Sequence, residues 1–162
     1  MKAVTHAFTV KWIWAWAIMH GYKTAEYRAA PPVVRKGRCA VQMSRTYDRA
    51  DFDEDLKCVR SEWGADGAKV VKERPPYEKL AAYAGKVIGT VDYDATEGDG
   101  CVWGLSNPRW LRRFLSVRGH LGMWELSSAD AAEINRQLAD GDPQFANCGR
   151  WRGDDSTARR VG

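Results

Sequence analysis

The chain has 162 residues, 44% of them hydrophobic and 28% charged, with a net charge of +4. That length suits one domain, which buries about two thirds of its unfolded surface and needs no covalent staple. The apolar and aromatic content excludes whole-chain disorder, and collagen-like and low-complexity classes with it.

Residues 3–10 alternate and read as a strand, with Val4, Phe8 and Val10 on one face. Residues 11–20 read as a helix that Gly21 stops. Residues 24–28 alternate again, and Pro31-Pro32 break the pattern. Residues 38–44 form a strand with Cys39, Val41 and Met43 inward. Residues 47–63 are charged and helix-compatible, with Phe52, Leu56, Val59 and Trp63 at roughly helical spacing. Residues 64–76 read as a flexible, solvated connection.

Residues 77–84 form a short helix stopped by Gly85, and 86–94 the clearest strand. A strand at 101–105, a turn at Asn107-Pro108 and a helical stretch at 110–115 follow. Residues 121–126 give the last strand. Residues 128–139 form a helix, with Ser127 and Asp130 in a capping pattern. The tail from Asp142 is poor in apolar residues and is expected to be poorly ordered. Short strands with few helices predict an α+β, mainly β domain: a small β-barrel of mixed topology with flanking helices.

The apolar stretch Val10 to Met19 is about half of what a membrane span needs. No small-residue cleavage site follows it, so a cytoplasmic location is expected. Cys39, Cys58, Cys101 and Cys148 are far apart, as are His6, His20 and His120. This scatter lacks the paired spacing of zinc ligands, so neither metal nor other cofactor is expected.

The charge is partitioned. Residues 1–45 carry about +7, 46–100 about −5, 101–126 about +3 and 127–162 about −1. Two basic, Trp-rich segments flank an acidic middle. Brought together, they offer cations for phosphates and flat rings for bases. Arg38, Arg109, Arg112 and Arg113 are the candidate phosphate contacts, and Trp103 and Trp124 the candidate stacking platforms.

The densest pattern is G-x-K-x-x-E-x-R: Gly21, Lys23, Glu26 and Arg28. Lys23 sits at a helix-to-strand junction, and alternation puts Thr24, Glu26 and Arg28 on one face. These groups can line one pocket mouth. Lys23 can hold a phosphate or polarise a carbonyl, Glu26 can act as general base, and Arg28 can bind phosphate or orient Glu26.

This stretch, from Trp14-Ala15 through Gly21-x-Lys23-Thr24-x-Glu26-x-Arg28, resembles the first block of the ASCH domain, a branch of the PUA-like superfamily. Gly37-Arg38 leading into residues 39–44 looks like the second block. Gly85-Lys86-Val87-Ile88-Gly89-Thr90-Val91 looks like the third. Asn107-Pro108-Arg109, then Gly122-Met123-Trp124-Glu125-Leu126, looks like the closing strand. The blocks run in family order, making residues 1–139 an ASCH-like domain with an acidic insertion at about 46–76 and a tail at 140–162. Ile13 departs from the pattern, since relatives often carry Pro before the Trp.

The resemblance implies a PUA-like barrel with a cleft between barrel and helices, and binding of RNA or other nucleic acid. Some relatives are amidohydrolases on acetylated cytidine and others are described as ribonucleases. The matching positions here are Lys23, Glu26 and Arg28. The amidohydrolase branch has Thr where this chain has Glu26, which removes its hydroxyl nucleophile, and Thr24 occupies a different position in the motif. Three readings follow: a module binding RNA, single-stranded DNA or a modified nucleoside; a hydrolase of the same fold; or an adaptor using the acidic insertion.

Overall fold

A computed structural model describes residues 2–141. The tail expected to be poorly ordered, and Cys148 with it, lies outside the described residues from position 142 onward. The strands are β1 (His6–Val10), β2 (Ala25–Tyr27), β3 (Lys36–Met43), β4 (Lys86–Asp94), β5 (Val102–Ser116) and β6 (Met123–Glu125). The helices are α1 (Trp12–Met19), α2 (Arg49–Glu62), α3 (Gly64–Glu73), α4 (Tyr77–Ala81) and α5 (Ser128–Ala139).

The strands form one six-stranded sheet in the order β2-β5-β4-β3-β1-β6. Among the described residues only β1 and β3 pair in parallel; the other neighbours are antiparallel. The sheet curls into a half-barrel, so the fold is α+β, with five helices among the described residues. None of the described helices is long and apolar enough to cross a membrane.

The helix α1 has the sequence WIWAWAIM, with no polar stripe. A helix apolar all round must be covered all round. It contacts β3, β4 and β5 on one side and α2 and α4 on the other. Gly89 permits the close approach: a Cβ there would run into Met19 Cε and come within 2.7 Å of the Arg109 carbonyl oxygen.

Residues 64–76 are not a flexible connection, because 64–73 are α3. Its glycine-rich start suggests a linker, yet Gly67 is needed where α3 crosses α2. A Cβ there would collide with the Val59 carbonyl oxygen and lie 2.9 Å from Trp63 Cβ. The acidic insertion is thus a cover for α1. It buries Phe52, Leu56, Val59 and Val70, and Trp63 packs against Trp14 with ring centroids 5.5 Å apart.

Residues 101–116 also differ from the sequence expectation. Asn107-Pro108 is not a turn between elements, and 110–115 is not helical; both lie within β5. The register against β4 slips between Thr90 and Asp92, opposite Ser106 and Arg109, so Asn107 and Pro108 sit in a bulge. Pro has no N–H for the ladder, and Asn107 takes a φ of +50°, so a bulge accommodates both. A second slip lies between Val87 and Gly89. Bulges bend and twist the bulged strand, which accounts for much of the curl.

Candidate nucleic-acid interface

The C-terminus of α1 sets the site. Gly21 has a φ of +76° and no neighbour within 4 Å of a Cβ position, so glycine is favoured there by backbone conformation alone. Tyr22 N donates to Ala17 O at 2.9 Å and Gly21 N to Ile18 O at 3.0 Å. This is a Schellman stop, which satisfies the last helical carbonyls and turns the chain sharply. Lys23 N joins the same Ala17 carbonyl at 3.1 Å, so Lys23 emerges at a fixed point beside β2.

The strand β2 is an edge strand pairing only with β5, with Glu26 opposite Trp103 and Tyr27 opposite Val102. Glu26 points inward and Tyr27 outward. Lys23 Nζ lies 2.9 Å from Glu26 Oε2, and Arg28 Nε lies 2.9 Å from Glu26 Oε1. One carboxylate is therefore held between two cations, leaving one net positive charge. The Lys23 and Glu26 side chains are only 12% and 11% exposed, so the cluster is largely desolvated yet reaches the surface.

Each cation has further partners. Lys23 Nζ donates to the Ala25 carbonyl and lies 5.7 Å from the Tyr27 ring centroid. Arg28 Nη2 donates to Thr9 O at 2.9 Å. Its guanidinium carbon lies 5.5 Å from the Phe8 ring centroid and 5.6 Å from that of Trp103, a double cation–π contact. Lys23, Glu26 and Arg28 thus meet in one ion-pair cluster. Thr24 is exposed, with its carbonyl accepting from Leu105 N at 2.8 Å.

Trp103 lies beside the cluster, but it is a core residue rather than an open platform. It is 1% exposed, packs edge-to-face on Phe8 at 5.7 Å, and donates from Nε1 to Gly100 O at 3.1 Å. Trp124 is also buried and pairs with Ala7, which alternates with Phe8, so it belongs to the opposite face of the sheet. Its Nε1 donates to Thr9 Oγ1 at 3.1 Å.

The other arginines are engaged elsewhere. Arg38 is buried, ion-paired to Asp92 at 2.9 Å, and donates to Thr90 Oγ1 at 2.7 Å and Asn107 O at 2.8 Å. Asn107 Nδ2 in turn donates to Asp92 Oδ2 at 2.8 Å, so Arg38 pins the first β5 bulge. Arg109 Nη2 donates to Leu138 O at 3.4 Å and Arg112 Nη2 to Asp140 O at 2.9 Å. Cations suit the carbonyl end of a helix, here α5. Arg113 pairs with Glu133 at 2.9 Å and is exposed, as Arg112 is. Arg109, Arg112 and Arg113 thus dock α5 onto the sheet.

Tyr27 was not singled out from the sequence. It is 72% exposed, and the strict alternation of β2 carries the signal: Glu26 in, Tyr27 out. Val102, its cross-strand partner, is exposed beside it. Cys39 is fully buried, and burial holds its thiol far above the ordinary range, so it is no nucleophile at neutral pH.

No protein-family model matches the chain, and a search of curated proteins finds no match either.

Proposed function

We propose that the protein binds single-stranded nucleic acid, RNA or DNA, or a modified nucleotide within it, at the β2 edge. One observation carries the reading: Lys23, Glu26 and Arg28 form a net-positive cluster directly beside the exposed ring of Tyr27. A phosphate is attracted by the surplus charge, and a base stacks on a ring. The ASCH-like G-x-K-x-x-E-x-R pattern is in keeping with this.

A hydrolase is the second reading, supported by the direct Lys23–Glu26 contact. In RNA cleavage Glu26 would take the 2′-hydroxyl proton, with Lys23 stabilising the charge developing on phosphorus-bound oxygen. Both Glu26 oxygens already face cations, so a hydroxyl reaches them only when Lys23 or Arg28 turns away. This favours binding over turnover.

The test is fluorescence anisotropy with labelled RNA and DNA oligonucleotides over a salt series, with product analysis on a gel. Binding is expected to weaken with salt at a log–log slope of about −0.7 per phosphate contact. Lys23→Ala is expected to lower discrimination between bases more than bulk affinity. Lys23- and Glu26-dependent product would establish the hydrolase. Absence of affinity at low salt for any oligonucleotide would remove both readings.

A further inference from the structure

On the other face of β1 a cleft of about 370 Å³ is lined by Thr9, Gln42, Arg45, Gly85 and the 117–121 loop between β5 and β6. Thr9 joins the two sites back to back. Its carbonyl takes the Arg28 hydrogen bond, and its hydroxyl faces this cleft.

The floor is a closed polar network. Gln42 is buried at a β3 bulge, where its Nε2 donates to Gly85 O at 3.1 Å and to Val117 O. Its Oε1 accepts from Thr9 Oγ1 at 2.7 Å, and that hydroxyl accepts from Trp124 Nε1. A Cβ on Gly119 would run into Gln42 Oε1, so the loop backbone is seated directly on the amide. The network leaves the loop little freedom, and the loop carries Arg118 and His120.

The rim is cationic. Arg45 and Arg118 line the cleft beside His120, and among the described residues no carboxylate does. Arg28, Arg38, Arg49, Arg113 and Arg136 are all ion-paired. Neither Arg45 nor Arg118 forms an ion pair among the described residues. The contrast with a second cleft of about 450 Å³ is direct. There Lys36 pairs with Asp94 and Arg38 with Asp92, and Lys2 also lines it, so two of its three cations are neutralised within the protein. Exposed Leu121 adds an apolar lip at the mouth of the cationic cleft.

We propose that this cleft is a phosphate-binding site, distinct from the β2-edge surface and independent of it. Arg45 and Arg118 approach from opposite segments, after β3 and after β5, each presenting a planar fork of donors suited to phosphate oxygens. His120 adds a third donor, and Leu121 takes the apolar face of the attached sugar or base. The phosphate can come from a free nucleotide or from the backbone of a bound strand.

The experiment is an NMR titration following the arginine Nε–Hε resonances. The probes are adenosine 5′-diphosphate in one arm and a nine-nucleotide single-stranded RNA in the other, at matched chloride. Saturable shifts of Arg45 and Arg118, confined to these two in the diphosphate arm and common to both in the RNA arm, support the site. Saturation by the diphosphate assigns it to free nucleotides, and saturation by the RNA alone assigns it to a strand. Arg45→Ala and Arg118→Ala, both exposed and outside the packing, are each expected to weaken binding tenfold or more. Lys57→Ala, at an exposed lysine of α2 outside both sites, is expected to change it less than twofold, which controls for the loss of one positive charge. The proposal is overturned if neither probe gives a saturable shift, or if the double variant Arg45→Ala/Arg118→Ala binds as tightly as the parent.

Discussion

Arg28 reaches across two strands that do not pair, donating from Nη2 to the carbonyl oxygen of Thr9 at 2.9 Å. The strand β2 begins the sheet order and β1 stands next to its far end, so this bond spans the open side of the half-barrel. The same guanidinium contacts Phe8 and Trp103 and balances Glu26. Arg28→Ala removes all of these and leaves Glu26 largely buried with one cation. Such a loss is expected to cost about 2 kcal/mol, the range for a charged hydrogen bond with a broken, partly desolvated pair. Urea unfolding measures it. A change under about 0.5 kcal/mol, the usual scale of surface substitutions, would mean that the seam contributes nothing.

Tyr27 supplies the exposed ring of the proposed surface, so its removal separates stacking from charge. Tyr27→Ala is expected to weaken oligonucleotide binding by about 1–3 kcal/mol, the measured scale for one stacked base. The salt slope should stay the same, because no phosphate contact is lost. Tyr27→Phe should bind nearly as the parent does. Equal affinity of Tyr27→Ala and parent in anisotropy would remove stacking from the account.

Gly67 sits where α3 crosses α2, and the obstacle to a side chain is the Val59 carbonyl, a backbone atom that cannot rotate away. Helix propensity alone favours Gly67→Ala by about 1 kcal/mol. The collision is expected to outweigh it, because overpacking costs about 1–3 kcal/mol. Thermal unfolding should therefore show a lower midpoint for Gly67→Ala. A raised midpoint would show that α3 moves freely and that propensity decides.

This glycine also shows what a sequence can carry. The stop at Gly21, the junction at Lys23 and the alternation of Glu26 with Tyr27 are local, so the charged cluster was legible from a dozen residues. The helix α3 was not, because the reason for Gly67 lies on another helix. The strand β5 was not either: Asn107-Pro108 has turn chemistry, and only the register of β4 makes it a bulge. The roles of Arg109 and Arg112 depend on carbonyls 29 and 28 residues away in sequence, at the end of α5. A basic run looks the same whether it faces phosphate or a helix terminus.

The docking of α5 carries a pH dependence that checks the arginine assignments. Glu133 is brought down to about 2, first by the Arg136 hydrogen bond, then by Gln137, with Arg113 adding to it. An unfolded glutamate titrates at about 4.3. A carboxyl lowered on folding stabilises the native state fully above its unfolded value and loses that contribution as pH falls toward its folded one. The loss therefore falls between about pH 4.3 and the folded value of about 2. Asp94, also brought down to about 2, chiefly by Lys36 and Thr96, acts in the same direction. A carboxyl-carbon NMR titration should place Glu133 well below the ordinary range in the parent. Arg136→Ala should move it upward most and Arg113→Ala less, in the order of their contributions. In each variant native stability at pH 7 should fall slightly, and the difference from the parent should shrink as pH falls toward the folded value of about 2, because the protonated carboxyl no longer needs its partners. A parent Glu133 titrating near 4 would show that the Arg113–Glu133–Arg136 cluster is loose in solution, and Arg113 would then be free to meet an external anion.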